Sequence, residues 1–418
     1  MKQTIIFFKG IYDTLDLFSD YIQEAFIELG FGTFVYHTEC EERSKKELLR
    51  MLQTEKGDYA VVAFNNLGYN LDMILPESER WSEDAEGLAN AVGLETKGVG
   101  KGDFVNVWEY YQIPYIDILM DHPFHFERPL RTMPSTAILL CVDRNHVKYI
   151  RRYYKNIHQV DFLPHAGIEL GRKHKPLKER KIDVLYAGAL PIYTVANMIP
   201  DLPEMYGVDT SRMMPEVLRE LVVHPDKTTE QAIEEYVCAN GRQLAEEELR
   251  QLIIHMRFLD SYATSFYREQ AVRILVESGI EVTAYGVGWN QCDWSDNPYL
   301  KYGGKVLAPQ ILPLMNDSKI VLNTMTWFKA GAHDRIFNGM LAGAVVATDD
   351  STYMNRTFTD GKELVLFKRT ELATLPERIC DLFGHIECAQ EMANCGYEAA
   401  LSHHTWKNRV EYIIECFL

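Results

Sequence analysis

The sequence predicts an α/β protein built from two Rossmann-like halves, and three observations carry that reading. At 418 residues the chain is too long for one hydrophobic core, so two domains of about 200 residues each are the natural expectation. Short apolar strands alternate with amphipathic helices once before residue 165 and again after residue 182. Between them lies a polar, basic stretch, residues 169–181, with no apolar period, which reads as the linker.

In the first half, residues 4–8, 33–36 and 59–64 read as strands, and 15–29 and 45–52 as helices, the first ending at Gly30. Strands that alternate with helices pair in parallel through right-handed crossovers. Residues 66–102 break the pattern with Pro76, several acids and a glycine-rich end, and read as a mobile loop or hairpin. Gly98–Gly102 lacks a full phosphate-loop pattern. Regularity returns with a helix over 105–111, strands over 115–120 and 137–142, a helix over 145–154 and a strand over 160–163. Asp121-His122-Pro123 and Pro164-His165-Ala166 each follow a strand, and the carboxyl ends of strands are where ligands sit in open α/β sheets.

The second half begins with a strand over 182–186 that runs into Ala187-Gly188. Residues 191–259 form an atypical helical insert, with helices expected over 214–222, 229–237 and 245–256. A helix over 262–278 ends at Gly279, and a strand over 281–284 leads to the turn Tyr285-Gly286-Val287-Gly288-Trp289. A short strand at 305–306, a helix over 308–317, strands over 319–322 and 344–348 and a helix over 335–341 complete the alternation. Helices fill 371–383, 387–402 and 407–417. The expected domains are therefore 1–168 and 182–402, with residues 403–418 as a helix crossing back to the first domain.

Bulk properties exclude several classes. No apolar run approaches the roughly 20 residues that span a bilayer. The first eight residues are too short an apolar stretch for a signal peptide, so a cytoplasmic protein is expected. Eight scattered cysteines without a Cys-x-x-Cys pair argue for buried thiols rather than a zinc ribbon or a disulfide framework. A formal charge of −17 disfavours nucleic acid, yet leaves room for a small anionic ligand.

The chemistry concentrates in residues 318–344. A strand runs into a polar loop carrying Asn323, Thr324, Thr326 and Lys329, and the loop opens a helix at His333-Asp334-Arg335. The free N–H groups of a helix start carry about half a positive charge. With Lys329, His333 and Arg335 close in sequence, this reads as a candidate diphosphate cradle. Asn338, one turn later, shares the Arg335 face and can hydrogen-bond a ribose or sugar hydroxyl. The structural alternative pairs Arg335 with Asp334, Asp349 or Asp350. Gly286 and Gly288 allow close backbone approach, with Tyr285 or Trp289 stacking on a base or simply packing in the core. Thr324 and Thr326 either donate hydroxyls to phosphate or finish the strand.

From Ile182 to Ile414 the chain resembles the CgeB-like (spore-maturation type) group of the GT-B glycosyltransferases, glycosyl transferases group 1. The elements that carry the likeness occur in order: Asp183–Gly188, Tyr285–Trp289, Ser318–Asn323, His333–Asn338, Ala342-Gly343-Ala344, Gly361-Lys362-Glu363 and His404-Thr405-Trp406. Ile113-Pro114, Asp121-His122-Pro123 and Leu163–Ala166 extend it weakly into the first half. The resemblance implies a GT-B fold of two Rossmann-like domains facing a cleft, with donor bound by the second and acceptor by the first. It implies a glycosyltransferase moving a hexosyl or related sugar from a nucleotide-diphosphate donor, UDP-sugar first among them, to a glycan, protein or small-molecule acceptor, with no other cofactor. Many retaining members carry a glutamate where this helix has Asn338.

No Asp-x-Asp and no cluster of metal-ligand spacing occurs, so a metal-independent site is expected in which Lys329, His333 and Arg335 neutralise the leaving diphosphate. Gly188 joins the donor-side candidates. For the acceptor's general base the candidates are Asp121, His122 and His165, with His125 competing; Asp121 capping its own turn is the structural alternative. A nucleotide-sugar epimerase of the same fold and a non-catalytic nucleotide-sugar-binding or scaffold protein are the competing functions.

Overall fold

A computed structural model describes residues 3–75, 104–193 and 201–418. The chain divides into two compact units, Met1–Cys141 with Val147–Asp161 and Leu418, and Val142–His146 with Phe162–Phe417.

In unit 1 the strands are β1 (Thr4–Lys9), β2 (Gly32–His37), β3 (Tyr59–Phe64), β4 (Asp72–Ile74), β5 (Phe104–Asn106), β6 (Tyr115–Leu119), β7 (Ala137–Cys141) and β8 (Gln159–Phe162). Six of them form a sheet in the order β2-β1-β3-β6-β7-β8, in which β1, β2, β3, β6 and β7 pair in parallel. Ile5–Phe8 and Ala60–Phe64 are buried throughout, as expected of strands covered on both faces. Helix α1 (Asp13–Glu28) buries Leu15, Phe18, Ile22, Ala25 and Phe26, which recur at helical spacing, and α2 (Glu41–Thr54) buries Leu48 and Leu52. The edges of the irregular segment form an antiparallel hairpin of β4 and β5; Gly98–Gly102 lies outside the described residues. Asn106 caps the short α3 (Val107–Tyr110), and α4 (Glu127–Arg131) and α5 (Arg144–Tyr153) follow β6 and β7.

In unit 2 the strands are β9 (Ile182–Ala187), the small hairpin β10 (Glu204–Met205) and β11 (Val208–Asp209), β12 (Val282–Tyr285), β13 (Leu300–Gly304), β14 (Ser318–Asn323), β15 (Val345–Asp349) and β16 (Val365–Phe367). The order β13-β12-β9-β14-β15-β16, all parallel, is the doubly wound arrangement in which the strand order reverses between the first and fourth strands, here β9 and β14. The insert supplies α6 (Thr210–Val223), α7 (Thr229–Ala239) and α8 (Glu246–His255), and α9 (Phe258–Glu277) returns to the sheet. The remaining helices are α10 (Ala308–Asn316), α11 (Asp334–Leu341), α12 (Met354–Thr357), α13 (Leu375–Gly384), α14 (Ile386–His403) and α15 (Trp406–Phe417). One core joins Val184, Tyr186, Val272, Leu275, Ile320, Leu322 and Val345.

Three expectations shift. The stretch 169–181 is part of unit 2: Leu177 is buried in its core, its amide donates to Gln390, and Lys175 pairs with Asp317 at 2.8 Å. One anchoring leucine leaves no period for the sequence to reveal. Helix α15 also groups with unit 2, where the Arg409 guanidinium donates to the carbonyls of Pro164 and His165. The strand expected at 305–306 is β13, five residues earlier in its start, and β16 went unanticipated because three buried residues give no alternation.

Candidate functional site

Strand β9 delivers Ala187-Gly188 and β14 delivers Thr324 to the same end of the sheet, on either side of the reversal point. Helix α11 starts there. Its first residue, Asp334, holds Oδ1 2.6 Å from His333 Nδ1, a nitrogen that also faces the Arg335 amide at 3.2 Å. His333 Nε2 lies 3.1 Å from Arg335 Nη2. Burial and, after it, the Arg335 cation lower the His333 pKa, while Asp334 opposes them. Burial alone would raise the Asp334 pKa, but His333 beside it holds the carboxyl well below the usual range. Arg335 is 7% exposed, and its Nη1 donates to the Ala187 carbonyl at 2.7 Å. The ion pair that Arg335 had as a structural alternative is taken elsewhere: Arg369 bonds Asp349 at 2.8 Å, both fully buried.

A second guanidinium joins it. Arg268 on α9 is 9% exposed, donates to the Ala189 carbonyl, and lies 5.5 Å from the Trp327 ring centroid. A Cβ placed on Gly188 would stand 3.1 Å from Arg335 Nη1 and 3.7 Å from Arg268 Cζ, so both cations crowd this glycine. Arg268 makes no ion pair among the described residues, and its Nε is buried without a partner. Burial lowers its pKa, and the neighbouring Arg335 acts in the same direction. Two like charges sharing one desolvated corner repel, and an anion between them would relieve that. Sequence reasoning missed Arg268, because a single arginine on a 20-residue helix carries no local signal. Only the packing of α9 against the β9 turn assigns it.

Several expected ligands are structural instead. Asn338 spends its amide internally: Oδ1 accepts the Ile168 amide at 2.8 Å and Nδ2 donates to Asp334 at 3.0 Å, so it ties residue 168 to α11 rather than presenting itself to a sugar. Trp289 is 0% exposed, packs on Tyr186 and Trp294, and donates its indole N–H to the Gly188 carbonyl at 2.8 Å. It is a core residue and no base platform. Gly286 and Gly288 have φ of +122° and +100°, and an added Cβ would meet Gly188 at 2.6 Å and the Leu190 carbonyl oxygen at 1.9 Å. The close approach they permit is to the 188–190 backbone, which they hold in place. Tyr285 lies against Gly303 on the edge strand β13. Asn323 is buried and donates to Thr348 at 2.9 Å, inside the sheet. The Thr324 hydroxyl is 2.8 Å from Tyr186 Oη, whereas the buried Thr326 hydroxyl has no partner among the described residues. Lys329 is turned into the insert, donating to the Pro225 carbonyl; burial and then Arg369 push its pKa down to about 7. It is thereby removed from the cradle.

The base candidates separate as well. Asp121 is exposed after β6, and its Oδ2 accepts from Asn65 Nδ2 at 3.0 Å, while Asn65 Oδ1 accepts the Met120 amide at 2.8 Å. The turn is capped by His122, not Asp121: His122 is buried, accepts from the Phe124 amide at 3.2 Å and stacks on the Phe124 ring at 3.7 Å. His165 belongs to unit 2, where its ring stacks on His333 at 5.8 Å. Burial drives its pKa down to about 3, so it takes no proton near neutrality. His125 is exposed.

Comparison with known proteins bears on this part of the chain. Residues 267–415 match the family model described as glycosyl transferase-like, a region that includes Arg268, His333 and Arg335. No curated protein matches the chain in sequence. Among solved structures, the chain is similar to sucrose-phosphate synthase from Thermosynechococcus elongatus, at 8% identity and a TM-score of 0.47, covering 100% of this chain and 98% of that one. It is also similar to Alr3699/HepE from Anabaena in complex with UDP and glucose (10%, TM-score 0.45, 99% and 98% covered). A third is T4 phage BGT in complex with its UDP-glucose substrate (10%, TM-score 0.48, 100% of both chains covered). The two doubly wound parallel units are those of the GT-B fold class.

Proposed function

We propose that the chain is a metal-independent glycosyltransferase of the CgeB-like type that takes a nucleoside-diphosphate sugar, UDP-sugar first, at the corner formed by Gly188, Arg268, His333 and Arg335. The observation that carries this reading is the pair of buried guanidiniums on the Gly188 turn, neither of which makes an ion pair among the described residues. Fixed cations in a desolvated site stabilise a departing diphosphate without reorganising during the reaction. The start of α11 adds its N–H dipoles. Among the described residues no group of three or more His, Cys, Asp or Glu is placed to hold a metal.

In the reaction an acceptor oxygen bonds the anomeric carbon while the bond from that carbon to the diphosphate breaks. The electron pair leaves with the diphosphate toward Arg268 and Arg335, and the acceptor proton passes to Asp121. Asn65 fixes that carboxylate through its side-chain amide. An epimerase would need further acids at this corner; Asp334 is the acid there, and it is already bound by His333 and Asn338.

The test is a thermal-shift panel of UDP, GDP, dTDP, ADP and CMP with their sugar conjugates, run in EDTA. A ligand at a hundredfold excess over Kd stabilises the folded state by about 2.7 kcal/mol. A selective shift with one nucleoside diphosphate supports the reading; no shift in folded protein refutes it. With the donor found, Asp121→Asn is expected to leave that shift unchanged and lower turnover by roughly 10²–10⁴-fold. Unchanged turnover would remove Asp121 as the base.

A further inference from the structure

The net charge of −17 is not spread evenly. Between Arg144 and Val160 the chain has five Lys or Arg and no Asp or Glu. Helix α5 buries Val147 and Ile150, with Tyr154 just beyond its end, and turns Lys148 and Arg151 outward one turn apart, with Lys155 a further turn on. Asn156 Nδ2 donates to the Leu130 carbonyl at 2.9 Å, which sets the end of α4, with Arg128 and Arg131, beside this row. Arg128, Arg151 and Lys155 are exposed and make no ion pair among the described residues. Arg151 and Lys155 each donate to a backbone carbonyl, of Val160 at 3.0 Å and of Arg151 at 2.6 Å, which orients them without cancelling their charge.

We propose that this face of unit 1 binds a polyanionic polymer, with Arg128, Arg151 and Lys155 as the cations that meet its phosphates or carboxylates. Several fixed cations in a row fit a ligand whose charges recur along a chain, and they raise its local concentration over an otherwise acidic protein. A lipid surface would need apolar side chains beside the cations, and the stretch from residue 105 to residue 191 that carries the row contributes no exposed large apolar side chain among the described residues. Combined with the transferase reading, on which this step rests, the polymer is the acceptor.

The experiment measures binding of end-labelled inorganic polyphosphate to the full chain by fluorescence anisotropy across a salt series, beside phosphatidylglycerol vesicles. Wild type is expected to bind polyphosphate with a log–log salt slope of about −2, the value for three cations on a flexible polyanion. The triple variant R128E/R151E/K155E is expected to bind at least roughly tenfold more weakly, with a flatter slope, an unchanged melting temperature and an unchanged nucleotide-induced shift. Equal binding by wild type and variant, no polyphosphate binding by wild type, or binding to vesicles alone each overturns the proposal. The nucleotide arm reads the donor corner independently, so failure of one reading is told apart from failure of the other.

Discussion

Replacing Arg268 with methionine separates a ligand-binding role from a structural one, because the two make opposite demands on the unliganded protein. Methionine retains an unbranched apolar stem able to fill the space beside Trp327. It deletes a buried cation that faces Arg335 and lacks a carboxylate partner. Losing the charged hydrogen bond to the Ala189 carbonyl costs about 1.5–3 kcal/mol, and relief of the repulsion offsets part of it, so the free protein should weaken by less than about 3 kcal/mol. Binding is affected far more. A hydrogen bond to a charged group is worth about 1.5–3 kcal/mol, a roughly tenfold to hundredfold rise in Kd. At a ligand concentration of about 100 times the wild-type Kd, the stabilisation should fall from about 2.7 to about 0.4 kcal/mol for a hundredfold loss. Chemical denaturation with and without the nucleotide identified in the panel measures both quantities on one sample. An unchanged nucleotide effect would refute the cradle, and a free protein weakened by more than about 3 kcal/mol would show Arg268 to be a structural tie.

Two further tests probe the frame around the site. Asp117 is 0% exposed, and burial raises its pKa from 3.8 to about 7, opposed only by the Asn66 amide it accepts at 2.9 Å. The folded state therefore holds this proton more tightly than the unfolded chain, so its contribution is full below about pH 4 and lost as pH rises towards 7. The loss is at most about 4 kcal/mol. Asp117→Asn keeps the acceptor oxygen and should flatten stability between pH 4 and 7 in denaturant titrations; an unaltered pH profile would show that Asp117 does not titrate there. Gly288→Ala places a methyl 1.9 Å from the Leu190 carbonyl oxygen at a φ of +100° and should cost about 3–4 kcal/mol. Gly361→Ala, at φ +79° with open space around it, should cost only the backbone strain of about 1–2 kcal/mol. Equal melting temperatures for the two variants would contradict the assigned close approach.

The alternation of apolar strands with amphipathic helices settled the two-unit α/β architecture in advance, because strands covered on both faces read as short apolar runs and helices with one buried face read as a 3.6-residue period. The strands β1, β3, β9 and β14 and the helices α1, α9 and α11 lie within a few residues of their expected places. The start of α11 was also legible, since a helix that follows a strand and a polar loop announces itself locally. What sequence could not distinguish was which polar groups remain available. Asn338, Asn323, Trp289 and Lys329 have the right chemistry and the right neighbourhood, but each gives at least one hydrogen bond to a partner far away in sequence. Arg268 is the converse, silent along the chain and brought to Gly188 only when α9 packs on β9. Periodicity is a property of neighbours along the chain, whereas the satisfaction of a polar group depends on neighbours in space, and only the tertiary structure supplies those.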